Sequence, residues 1–89
     1  MLKTVNVEVH GVVQGVFFRV SLRQQAEQLG VFGWCKNTGA GTVLCCFEGN
    51  SDQVDQLVRW AHEGPPSSRV TRVDVTEETP QHFDAFVIR

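Results

Sequence analysis

A chain of 89 residues supplies one domain, read here as spanning 1–89, and excludes a second. At this size about 60–65% of the unfolded surface is buried on folding, so the core must be economical. The 42% apolar content argues against disorder, and no apolar run approaches the roughly 20 residues of a membrane helix. A net charge of −2 is far from the basic footprint of a nucleic-acid binder, so neither nucleic acid nor membrane is an expected partner.

In chain order, "TVNVEV" alternates strictly and predicts a strand with Val5, Val7 and Val9 on one face, not a secretory leader. From Phe18 the period becomes helical: Phe18, Leu22, Ala26 and Leu29 share a face, and Gly30 supplies the stop. "VFGWCKN" and "TVLCCFEG" flank "TGAG" and predict a hairpin. Asn50 or Ser51 can cap a second helix whose apolar stripe is Val54, Leu57, Val58 and Ala61. "EGPPSS" ends it. "VTRVDV" and "FDAFVIR" read as strand material around a polar turn at Pro80. The order is βαββαβ with the last strand divided. That order predicts an α+β, ferredoxin-like sandwich: one antiparallel sheet with two helices on one face.

Topology brings two segments together. The first and second strands run parallel, so the end of the second, near Asn37, emerges at the same edge of the sheet as the loop leaving the first. That loop, within "HGVVQGVFFR", carries Gly11 and Gly15 and leads into a helix N-terminus, where unpaired N–H groups and the positive end of the dipole favour an anion. Arg19 can add two parallel hydrogen bonds to phosphate oxygens. The charge distribution agrees: Gly11–Phe47 holds Arg19, Arg23 and Lys36 against Glu27 alone. Taken alone, the spacing still favours a plain turn with a solvated Arg19, since neither a Walker loop nor a dinucleotide fingerprint is present. Asn37 is similarly divided between holding a water in line and ordinary turn chemistry. Thr38 either orients Asn37 or begins the turn.

Neither segment offers a carboxylate for magnesium, and no nucleophile–base pair is evident, so a metal site is not expected. His10, His62 and His82 read as surface or hydrogen-bonded residues. Cys35, Cys45 and Cys46 read as buried free thiols of a cytoplasmic protein. Alternation allows at most one of Cys45 and Cys46 to face Cys35, leaving a single bridge open.

"GVVQGVFFR" (Gly11–Arg19) and "GWCKNTGAGTVLCCFEG" (Gly33–Gly49) resemble the two signatures of the acylphosphatase family, and "GPPSSRV" and "FVIR" also look like family features. The resemblance covers essentially the whole chain and implies a cofactor-free hydrolase of acyl phosphates. It implies that Arg19 binds the phosphoryl group with the backbone amides of Gly11, Val12, Val13, Gln14, Gly15, Val16, Phe17 and Phe18. It further implies that Asn37 orients the attacking water. Val12 stands where a basic residue is frequent, and Ala40 where an aspartate is. The expected partner is a small acyl phosphate, with inorganic phosphate or sulfate as site ligand and the chain a monomer. Rival readings are a non-catalytic anion-binding or regulatory module, which needs no Asn37, and an RNA-binding sheet, which lacks the required aromatics. A piece of a larger maturation protein is a further rival, against which the Met1 start and full set of elements are expected to count.

Overall fold

The computed structural model describes every residue from Met1 to Arg89. Its elements are β1 (Leu2–Val12), α1 (Phe18–Leu29), β2 (Phe32–Asn37), β3 (Val43–Asn50), α2 (Ser51–Glu63), β4 (Arg69–Glu77) and β5 (Phe86–Ile88). The period-2 pattern of β1 does what alternation demands: Val5, Val7 and Val9 are buried, while Asn6, Glu8 and His10 project from the opposite face. Val43, Cys45 and Phe47 of β3 and Cys35 of β2 complete the inner face of the sheet. Phe18, Leu22 and Ala26 of α1 and Val54, Leu57 and Ala61 of α2 close over it, so both helices lie on one side. No helix is long and apolar enough to cross a membrane.

The strand order is β4-β1-β3-β2-β5. Four strands pair antiparallel as expected, but β5 adds parallel to β2, and the sheet is mixed. The two halves of the last strand thus lie on opposite edges. The connection between them crosses the outer face of the sheet, where Asn6, Trp34, Cys46, Glu78, Gln81 and Phe83 gather.

Glu48 holds that crossing in place. Its carboxylate, 2% exposed, accepts from the Thr4 hydroxyl at 2.6 Å, the Gln81 N–H at 2.7 Å and the Phe83 N–H at 2.9 Å. Burial alone would raise its pKa. The hydrogen bonds from Thr4, Gln81 and Phe83 outweigh burial and hold it below the ordinary carboxylate value.

Candidate active site

The structure narrows the anion loop from its N-terminal side. Gly11 and Val12 belong to β1 and pair with Val70 and Arg69 of β4, after a register shift between His10 and Gly11. A Cβ on Gly11 would lie 2.0 Å from the Arg69 carbonyl oxygen, at φ 127°. This bulge and its close backbone neighbour by themselves require glycine at position 11. The loop proper starts at Val13, whose side chain is buried in the core.

Between Val13 and α1 the chain turns through left-handed backbone twice, at Gly15 (φ 74°) and at Phe17 (φ 62°, ψ 21°). Such a conformation costs a phenylalanine on the order of 1 kcal/mol. Phe17 is the N-cap residue of α1, and no side chain caps that helix; its first turn contains no acidic residue. Every backbone N–H from Gln14 to Val20 lacks an acceptor within the protein. These amides and the helix dipole make one electropositive concavity. Arg19 forms no ion pair. It lines a cavity of about 230 Å³ with Val13, Gly15, Phe17, Phe18 and Val20. An uncapped helix N-terminus, free amides and an unpaired guanidinium thus occur together along one short segment.

Packing fixes this space from three sides. The Phe18 ring lies 5.5 Å from the Trp60 ring of α2 and close against Gly64, which pins the first turn of α1. Ser67 donates to the Val16 carbonyl at 2.9 Å, tying the loop to the segment after α2. Gln14 gives the third tie: its side-chain amide donates to the carbonyls of Thr38 and Thr42, both at 2.9 Å. Sequence reasoning valued Gln14 only for its backbone. The structure gives its side chain a separate task, joining the loop to the β2–β3 turn.

That turn carries Asn37 at the end of β2, as topology predicts. The side chain of Asn37 is half-buried, and its Oδ1 is buried with no hydrogen-bond partner, so the carboxamide retains acceptor capacity. Asn37 is not among the residues lining the Arg19 cavity; it immediately precedes the turn that Gln14 grips. A further contact ties β2 to α1: the Cys35 thiol, two residues before Asn37, lies 3.9 Å from the Arg19 carbonyl oxygen. Thr38 organises the turn instead of orienting Asn37. Its hydroxyl accepts from the N–H groups of Ala40 and Thr42 and shares a 2.7 Å hydrogen bond with the Thr42 hydroxyl. Thr42 in turn reaches Glu8 at 2.8 Å.

Glu8, His10 and Asp74 bring potential metal-ligating atoms within 4.8 Å of one another on the outer face. Their oxygens are already engaged: Arg72 clasps Asp74 through its Nε and Nη2, His10 Nε2 lies 3.0 Å from Asp74, and Thr42 binds Glu8. The cluster closes as an ion-pair network. His62 bonds the Val58 carbonyl, as expected, and Trp60 is a packing residue. Register resolves the cysteines. Cys45 stands opposite Cys35 and Cys46 opposite Trp34 on the other face, and all three are free and buried. Burial pushes the Cys35 thiol up to about 11, partly opposed by Arg19 and Arg23.

Three comparisons bear on this geometry. Residues 5–88 match the family model described as acylphosphatase. A protein of Rubrobacter xylanophilus named acylphosphatase is 58% identical over 85% of this chain and 69% of its own length. One of Thermococcus kodakarensis with the same name is 45% identical over 93% and 91%. The solved structure of an acylphosphatase from Coxiella burnetii superposes with a TM-score of 0.95, at 39% identity, over 99% of this chain and 93% of that one.

Proposed function

The chain belongs to the acylphosphatase family, and from that premise we propose that Arg19 and the loop amides hold the phosphoryl group while Asn37 orients the attacking water. The reaction is hydrolysis of an acyl phosphate to a carboxylate and inorganic phosphate. Water oxygen bonds to phosphorus, the bond from phosphorus to the acyl oxygen breaks, and the carboxylate leaves with that electron pair. Because a carboxylate is a good leaving group, no strong general acid is needed. The water proton passes to a phosphoryl oxygen of the substrate itself, giving dihydrogen phosphate. The protein's share of the barrier is electrostatic: preorganised N–H donors and a guanidinium meet charge that shifts onto the phosphoryl oxygens.

The observation that carries this reading is the unbroken run of acceptor-less amides from Gln14 to Val20 beside an unpaired Arg19. The position of Asn37 at the end of β2, beside the turn that Gln14 ties to the loop, supports the water role. A non-catalytic anion-binding module is not favoured, because the relatives are named as acylphosphatases. We read residues 1–89 as one domain that acts as a monomer, binds inorganic phosphate at the same amides, and with its reduced thiols suits the cytoplasm.

Benzoyl phosphate turnover, with and without a chelator, tests the assignment. Chelator is expected to leave the rate unchanged. Arg19→Ala is expected to lose at least about a hundredfold in kcat/KM and to weaken competitive inhibition by inorganic phosphate. Asn37→Ala is expected to lose kcat while phosphate inhibition persists. Near-normal turnover by Arg19→Ala overturns the phosphoryl-binding role, and loss of phosphate inhibition in Asn37→Ala makes Asn37 a phosphate ligand instead.

A further inference from the structure

Phe17 departs from the rules its neighbours obey. Phe18, one position on, is fully buried; Phe17 is 78% exposed. It does so from left-handed backbone, which glycine, asparagine or aspartate adopts far more readily. The Phe17 ring makes no aromatic pair and covers no part of the apolar core. A solvent-facing aromatic held in an unfavourable conformation at the mouth of a site calls for a functional explanation. Val20, on the first turn of α1, is also exposed and lines the same cavity as Phe17 and Arg19. The buried Val13 and Phe18 line it too, and Arg19 is the only charged residue among them.

We propose that Phe17 and Val20 form an apolar wall that receives the acyl group, so that this enzyme prefers phosphates of apolar, above all aromatic, carboxylic acids. The proposal rests on the reading that the phosphoryl group sits at the loop amides and Arg19. With the phosphoryl group there, the single covalent oxygen bridge leaves the acyl carbon within the same cavity. About 230 Å³ corresponds to the liquid volume of seven or eight waters at ~30 Å³ each, so the cavity admits a small substituent. An aromatic acyl group gains contact with Phe17 and removes apolar surface from water. A second carboxylate in the acyl part gains no partner of its own, because Arg19 is committed to the phosphoryl group. Discrimination between acyl groups thus comes from the side chain of a residue whose backbone belongs to the anion loop.

The test compares kcat/KM for benzoyl phosphate with that for acetyl phosphate in the wild type, Phe17→Gly and Val20→Thr. Glycine suits the φ of 62°, so the first variant removes the ring without adding backbone strain. Threonine keeps the shape of Val20 while making it polar. The benzoyl-to-acetyl ratio is expected to fall about tenfold in Phe17→Gly and about threefold in Val20→Thr. A ratio within twofold of wild type in Phe17→Gly, or an equal fall for both substrates, overturns the acyl wall. Competitive inhibition by inorganic phosphate in the wild type and Arg19→Ala reports on the phosphoryl site separately. If Arg19→Ala leaves that inhibition intact, the underlying site reading fails instead.

Discussion

The two ends of the sheet treat backbone donors in opposite ways. At the end where α2 begins, Asn50 caps the helix by accepting from the Asp52 N–H at 3.2 Å, and Asp52 adds negative charge to the first turn. At that end too, the Glu48 carboxylate takes the N–H groups of Gln81 and Phe83. At the end where α1 begins, the N-cap is a phenylalanine, the first turn carries an arginine, and a run of amides goes unpaired. One end satisfies its donors from within; the other leaves them without a partner in the protein. Left-handed backbone occurs at both ends, at Phe17 beside the open amides and at His82 between the two donors to Glu48.

This contrast can be broken from either end. The largest effect is expected from giving the open end an internal anion. Gly15→Asp fits the left-handed φ of 74° and meets nothing within 4 Å, and its carboxylate competes for the free amides. Phosphate inhibition and kcat/KM should each weaken by about a hundredfold while the thermal melting point stays within a few degrees. An unchanged inhibition constant would remove the amides from the site.

Glu48→Gln acts at the opposite end and should cost about 2 kcal/mol in denaturant unfolding, with kcat/KM per folded molecule unaltered. Because the folded pKa of Glu48 is lowered, its contribution is fully present above the ordinary value of 4.5 and is lost as pH falls through the folded one. Wild type should therefore lose stability on acidification more steeply than Glu48→Gln, and parallel pH curves would exclude the latch as the cause. Gln14→Ala removes the tie between loop and turn, and about a tenfold loss in kcat/KM is expected, rising with temperature as the loop loosens. The smallest change is Asn50→Ala, at about 1 kcal/mol of stability with no change in turnover.

Most of the fold was legible in the sequence because it follows from local periodicity, and topology foretells that the glycine loop meets the end of β2, where Gln14 contacts Thr38. The valines of β1, the Phe18–Leu22–Ala26 stripe and the Gly30 stop each encode an element without help from distant residues. What escaped reading depends on contacts far apart in the chain. β5 pairs parallel to β2 because the chain crosses the outer face under the control of Glu48, 33 positions from Gln81. The Gln14 side chain finds its two acceptors 24 and 28 positions away, and nothing in "GVVQG" signals that. The bulge at Gly11 went unread because glycine in a loop and glycine at a bulge look alike in sequence. The left-handed turn at Phe17 had no signal at all, since phenylalanine is a residue that normally argues against it.

The opposed placement of β4 and β5 also governs how the molecule meets its own copies. An open sheet exposes two rims of hydrogen-bonding groups to any passing extended chain. Here one rim is a strand of only three residues, Phe86–Ile88, too short to template lasting strand addition. The other is β4, studded with Arg69, Arg72, Asp74 and Glu77. An extended chain that approaches this sheet therefore meets three residues on one rim and fixed charges of both signs on the other.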